Sequence, residues 1–168
     1  MRNLSVAGAL IAACLLSWVA APTSASAQTR VELTSGFEPD PWSTTIELRG
    51  RVSNAPRATD ARGNACLGAF DWVDVEVQFT AANLGLPLIV SAGSNVDTTL
   101  VVEDPWGEFY CDDDSGALGY NPLVFIQTPR TGRYRIWVGV YRNPETLEIS
   151  RYDYGSRVRV SISELYSQ

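Results

Sequence analysis

From Val73 to Phe79 apolar and polar residues alternate strictly, with Val73, Val75, Val77 and Phe79 on one side and Asp74, Glu76 and Gln78 on the other. A period of two marks a half-buried strand, because successive side chains of an extended backbone point to opposite faces. The pattern returns in "RYRIWVGVY", where Tyr134, Ile136, Val138 and Val140 oppose Arg133, Arg135 and Trp137. It returns again in "RVRVSIS", where Val158, Val160 and Ile162 oppose Arg157, Arg159 and Ser161. Continuous apolar runs at 86–90, 98–102 and 122–126 predict more deeply buried strands, and shorter runs at 30–33, 44–48 and 146–150 predict others.

Residues that favour turns separate these runs, at 38–41, 91–95, 104–107, 129–132 and 142–145. Asp104, Pro105 and Gly107 occupy the first, second and fourth places that a type I turn prefers. Helical periodicity is nearly absent. Short strands at this spacing predict an all-β fold, an antiparallel β-sandwich or jelly roll. One domain is expected, in which residues 28–69 supply N-terminal strands and a long loop and residues 70–168 the sandwich core. The stretch 50–65 has no periodicity and many small residues, and predicts a long, mobile loop ahead of Cys66.

The first 27 residues are of another kind. A short positive start is followed by an apolar run from Leu4 to Val19 and by Ala25-Ser26-Ala27. These parts predict a secretory signal peptide cut after Ala27. The stretch from Ile11 to Cys14 also matches a bacterial lipoprotein box with Cys14 as the lipidated residue. Continuation of the apolar run through Leu15, Leu16, Trp18 and Val19 favours the signal peptide. Both readings place the mature chain in the periplasm or outside the cell. No other run approaches the roughly 20 apolar residues a membrane span requires.

Charge and residue usage narrow the chemistry. The 13 basic residues are all arginine, there are 19 acidic residues, and loss of Arg2 with the leader brings the net charge of −6 to about −7. So acidic a chain, without a basic cluster, is a poor partner for nucleic acid or an anionic membrane. Histidine and lysine are missing altogether. Ser-His-Asp and Cys-His centres, histidine-ligated zinc or copper, and Schiff-base chemistry are therefore excluded. Paired carboxylates, as in glycoside hydrolysis, are the catalytic option left. A module this short, with its apolar residues committed to strands, leaves little material for a substrate cleft, and the expectation is a protein that is not an enzyme. Without Cys14, two cysteines remain, and an even count in an oxidising compartment predicts a Cys66–Cys111 disulfide.

The segments "DTTLVVEDPWGEFYCDDDSG" (97–116), "NPLVF" (121–125) and "GRYRIWVGVY" (132–141) together resemble the bacterial pre-peptidase C-terminal domain. The likeness lies in the order and spacing of an Asp-x-x-Leu strand, a D-x-x-G turn, paired aspartates and a G-x-Y-x-I-x-V strand, and spans roughly residues 70–163. It implies a secreted, non-catalytic β-sandwich. The usual protease companion of that family is absent from this sequence, which implies a free-standing variant. By analogy with the calcium-stabilised collagen-binding modules of bacterial collagenases, the resemblance also implies calcium.

Two sets of residues are candidates for a site. "CDDDSG" (111–116) packs three consecutive carboxylates into one turn, where a hard cation would offset their repulsion. The candidate calcium ligands are Asp97, Asp104, Asp112, Asp113, Asp114 and Asn121. The competing reading is a solvated turn whose carboxylates accept backbone N–H bonds while Cys111 anchors it to the sheet. Among the aromatics, Trp72, Trp106 and Trp137 are candidates for a ligand platform, with Trp106 in its turn the most exposed; the competing reading packs them under the long loop or against terminal strands. Together these features predict a periplasmic or secreted binding or accessory module with a protein or glycan partner at the cell envelope. A carbohydrate-binding module and a carboxylate-dependent envelope hydrolase are the alternatives.

Overall fold

The computed structural model describes residues 28–48, 53–141 and 155–165. The expected signal peptide, Cys14 and the expected strand at 146–150 lie outside them. Among the described residues eleven strands follow in chain order: β1 (Thr29–Thr34), β2 (Trp42–Glu47), β3 (Ser53–Asn54), β4 (Ala69–Phe70), β5 (Val75–Thr80), β6 (Leu88–Gly93), β7 (Thr98–Glu103), β8 (Phe109–Asp112), β9 (Leu123–Ile126), β10 (Gly132–Val140) and β11 (Arg157–Ser163). The fold is all-β, as the alternation predicts. Among the described residues no helix is long and apolar enough to cross a membrane.

The strands form two sheets. In the larger, β10 is central: β5 and then β1 lie along one edge, β7 and then β8 along the other, and β4 with β3 continues beyond β5 at Val140. The smaller sheet has the order β2-β11-β6-β9 and is antiparallel throughout. In the larger sheet β1 runs parallel to β5, which strand patterning alone does not reveal.

The inward stripes meet between the sheets. Val75, Val77 and Phe79 of β5 and Tyr134, Ile136, Val138 and Val140 of β10 face Val90 and Ala92 of β6 and Val158, Val160 and Ile162 of β11, all nearly inaccessible to water. Burial of this apolar surface, at about 25 cal/mol per Å², is the main force holding the sheets together. The Phe79 and Tyr134 rings meet edge to face within this core, their centres 6.1 Å apart.

A second, smaller cluster lies on the outer face of the larger sheet. Val101 of β7, Cys111 of β8 and Trp137 of β10 project away from the main core and are roofed, with Phe70, by the loop that carries Cys66. Both faces of β7 are therefore covered, which is why all six of its residues are buried. Gly139 makes the roof possible, since a Cβ there would lie 2.7 Å from the Ala69 carbonyl and 2.8 Å from the Phe70 ring.

The described part of the 50–65 stretch is not the mobile loop that its composition predicts. Its backbone is tied at Ala61 N–H to Phe109 O (3.0 Å) and at Cys66 N–H to Ala58 O (3.0 Å), and Thr59 pairs with Ala65. The predicted disulfide joins Cys66 to Cys111 and fixes the roof to β8.

Candidate functional site

Two hairpin turns with one design frame the side of the sandwich where β8 lies. In 104–108, the Gly107 N–H donates to Asp104 O (3.0 Å) and the Asp104 N–H to Glu108 O (2.8 Å), while Asp104 Oδ1 accepts the N–H groups of Trp106 (2.8 Å) and Glu108 (2.9 Å). In 60–64 the Gly63 N–H donates to Asp60 O (3.1 Å) and the Asp60 N–H to Asn64 O (2.9 Å), while Asp60 Oδ1 accepts the N–H groups of Arg62 and Asn64, both at 2.8 Å. Gly107 (φ +80°) and Gly63 (φ +86°) both take the left-handed conformation that closes a three-residue hairpin loop.

The first turn presents Trp106, 72% exposed, at its tip. The Arg130 guanidinium lies over the Trp106 ring, 3.5 Å from its centre, and pairs with Asp104 at 2.7 Å and Glu108 at 3.0 Å. Arg130 is itself held from below. The Tyr134 hydroxyl accepts the Arg130 backbone N–H (2.8 Å) and donates to the Arg130 carbonyl (3.0 Å), the arrangement of a tyrosine corner. Burial pushes the Tyr134 hydroxyl pKa up to about 12, with the nearby Asp104 charge adding to the rise and the Arg130 N–H opposing it. The tip is thus an aromatic ring with one face backed by a cation, on a rigid mount.

The "CDDDSG" stretch divides its carboxylates among different tasks. Asp112 Oδ2 accepts the Leu123 N–H (2.8 Å) and the Ser115 N–H (2.9 Å), and Oδ1 accepts the Ser115 hydroxyl (2.6 Å). Since β8 belongs to the larger sheet and β9 to the smaller, Asp112 stitches the two sheets at one edge. Asp113 is half-buried, and burial, followed by the charges of Asp114 and Asp112, raises its pKa above the ordinary carboxylate value. Asp114 is exposed.

The six candidate calcium ligands do not gather at one rim. Asp97 and Asp104 bound the two ends of β7, roughly 23 Å apart at about 3.3 Å per residue, so they do not flank the same edge. Asp104 is committed to its turn and to Arg130. Asn121 uses both ends of its amide on Ser94, accepting the N–H at 3.0 Å and donating to the carbonyl at 3.2 Å. Among the described residues no three His, Cys, Asp or Glu side chains converge as a metal cage would require. The set does not fit a single calcium ion.

Nor do the three tryptophans share a platform. Trp137 is only 8% exposed, packed on Phe109 at 6.3 Å between ring centres and covered by the Cys66 loop, so it offers no face to a ligand. Alternation shows correctly that Trp137 points away from the main core, and of its two readings, exposed platform or cover by the long loop, the second is the one observed. Trp72 is 68% exposed and stands beside a cleft of about 640 Å³ between β2, the 69–74 turn and the end of β10. It precedes β5, whereas Trp106 lies beyond the far end of β7, so the two exposed rings sit at opposite ends of the larger sheet.

Several contributors were missing from the sequence expectations: Asp60, Arg62 and Asn64 in the second turn, and Arg130 and Tyr134 under the first. Asp60-x-x-Gly63 carries the same turn signal as Asp104-x-x-Gly107 and was open to detection. The Asp60 carboxyl feels burial, which would raise its pKa, but the hydrogen bonds from Asn64, Arg62 and Cys111 outweigh burial and hold it below the ordinary value. Compared with known protein families and with curated proteins, the chain matches none.

Proposed function

We propose that the chain is an exported, non-catalytic binding module whose principal contact with its partner is the 104–108 hairpin. The observation that carries this reading is Trp106: a large aromatic 72% exposed, yet held in place by Asp104, Arg130 and Tyr134. Exposing an indole in water gains nothing for folding, and a ring on a rigid mount loses little entropy when a partner covers it. Tryptophan and arginine are both enriched among the residues that anchor binding surfaces.

The Cys66–Cys111 bridge supports a periplasmic or extracellular location, because disulfides persist in oxidising compartments. The two-sheet architecture agrees with the form implied by the resemblance to the pre-peptidase C-terminal domain. A carboxylate-dependent hydrolase would need an unengaged acid and base facing one substrate. Asp60, Asp104 and Asp112 are all engaged with backbone N–H groups, which supports the non-catalytic reading.

The test is binding of the purified chain from Gln28 onward to envelope fractions of the producing cell. Trp106→Ala is expected to weaken retention at least about tenfold, the scale of one hot-spot residue, while the circular dichroism spectrum keeps its wild-type strand signal and Tm falls by no more than about 3 °C, the loss of one cation–π contact with Arg130. Equal retention of the variant would overturn the assignment of the hairpin tip.

A further inference from the structure

The Asp60 turn and the β8–β9 edge enclose a groove of about 550 Å³, distinct from the Trp106 tip. Ligand sites commonly span roughly 300–1,000 Å³. Both walls are fixed in advance. One is held by the disulfide and by the bonds of Asp60, the other by the bonds of Asp112 to Leu123 and Ser115. Polar groups on a rigid wall bind without first having to be ordered.

The lining combines donors with acceptors. Arg62 lies 5.6 Å from the centre of the Tyr110 ring and donates to the Phe125 carbonyl at 3.1 Å; a guanidinium carries five N–H groups, and this bond occupies one. Asp113 contributes a half-buried carboxylate, and Asp112 and Ser115 contribute further oxygens. An anion entering the groove would meet the carboxylates of Asp60, Asp112 and Asp113, and a cation without acceptor atoms would face Arg62 unpaired. A hydroxyl both gives and takes a hydrogen bond, so a ligand dense in hydroxyls can pair with Arg62 and Asp113 together. Leu67, Val124 and the Tyr110 ring supply an apolar flank for the C–H face of a sugar ring.

We propose that this groove binds a neutral, hydroxyl-rich ligand, the terminal one or two rings of an oligosaccharide, with Arg62 donating to it and Asp113 accepting from it. The assignment rests on reading the chain as a binding module and names a ligand class for a second surface of it.

Calorimetric or NMR titration of the mature chain with glucose, galactose, N-acetylglucosamine and maltose tests the groove. At least one of these neutral probes is expected to saturate at about millimolar concentration, as suits so small a ligand. Arg62→Met and Asp113→Ala should each weaken that binding about tenfold or more with circular dichroism unchanged, and glucuronate should bind at least about tenfold more weakly than glucose, the scale of one hydrogen bond to a charged group. No saturation by any neutral probe, indifference to both variants, or displacement of the sugar by tetramethylammonium would overturn the proposal. Trp106→Ala should leave the sugar titration untouched. Loss of the groove with Trp106-dependent envelope binding intact removes this inference alone, and the reverse pattern removes only the role given to the hairpin tip.

Discussion

Asp60 and Asp104, 44 positions apart in the sequence, build the same turn: each accepts through Oδ1 the N–H groups two and four residues ahead, at 2.8 and 2.8 Å for Asp60 and 2.8 and 2.9 Å for Asp104. They differ in the other oxygen. Asp60 Oδ2 takes the Asn64 side-chain amide at 3.0 Å, and Asp104 Oδ2 takes Arg130 at 2.7 Å. One turn therefore closes on itself and shapes the groove, while the other reaches out to lock the cation behind Trp106.

Replacing either aspartate by alanine strips two backbone N–H groups of a charged acceptor, a loss of about 2–3 kcal/mol. At about 3 °C per kcal/mol for a domain of this size, Tm should fall by roughly 6–9 °C in each case. For Asp60 the loss depends on pH. Its folded carboxyl is held below the ordinary value of 3.8, so the stability it contributes is complete above that value and disappears as pH falls through the folded pKa. Urea unfolding from pH 6 down to pH 2 should show wild type and Asp60→Asn converging at the acid end; a gap that stays constant would place the effect elsewhere than in the charge.

The disulfide stabilises the roof more than the sandwich. The main core contains neither Cys66, Cys111 nor Trp137. The bridge closes a span of 45 residues, worth at most about 4 kcal/mol by the chain-entropy relation. The paired Cys66→Ser and Cys111→Ser variant should keep its strand signal in circular dichroism, lose up to about 12 °C in Tm, and show red-shifted tryptophan emission as the loop lifts from Trp137. Emission that stays at the wild-type wavelength would mean that the Asp60 turn holds the roof without the bridge.

The strands were legible because one face of each is apolar, and period-two patterning reports that face directly, as at Val75, Val77 and Phe79. The second covered face was legible only in part: the apolar run 98–102 marks β7 as deeply buried, and packing of Trp137 under the long loop is one of two readings the sequence leaves open. Val101 and Trp137 differ from exposed outward residues only by a loop whose order comes from distant partners, Cys111 and Phe109. The grouping of Asp97 with Asp104 failed for a simpler reason: a six-residue strand between two aspartates separates them by its own length. "DARGN" repeats the signal of "DPWGE", but the small residues around it masked a turn that long-range bonds stabilise. The pairing of β1 with β5 depends on tertiary packing that no local pattern contains.

Tyr134 connects the tip to the core, and its hydroxyl should report on that connection. Its folded pKa of about 12 exceeds the ordinary value of 10.0. A group whose folded pKa is raised contributes stability that is complete below the unfolded pKa and is lost as pH rises through the folded one. Two units correspond to about 3 kcal/mol. Unfolding free energy should therefore fall by about 2 kcal/mol between pH 10 and pH 12 and by the remainder outside that window, beyond any background from the other tyrosines. In Tyr134→Phe this alkaline decline should largely vanish, with lower stability throughout, because the Arg130 N–H and carbonyl lose their partner. An unchanged alkaline slope would show that another group carries it.

Asp113 behaves in the opposite sense to Asp60, although both line the groove. Its pKa is raised, first by burial and then by Asp114 and Asp112, so its charged form is the one the fold disfavours. By the same linkage, its favourable contribution is complete below the ordinary value of 3.8 and is lost as pH rises through the folded value. Loss of the proton from Asp113 is thus opposed by burial and by the charges of Asp114 and Asp112. Asp113→Asn removes the charge while keeping the shape, and should raise Tm at pH 7 and leave it unaltered near pH 3. The same change at Asp112 should lower Tm, since Asp112 holds Leu123 and Ser115 across the two sheets. Thermal scans of the two variants at both pH values separate the roles, and destabilisation by Asp113→Asn at pH 7 would show that its charge has a partner in solution that offsets its neighbours. Adjacent carboxylates in one turn are thus expected to respond with opposite signs, one as a stitch between sheets and the other as a wall of the groove.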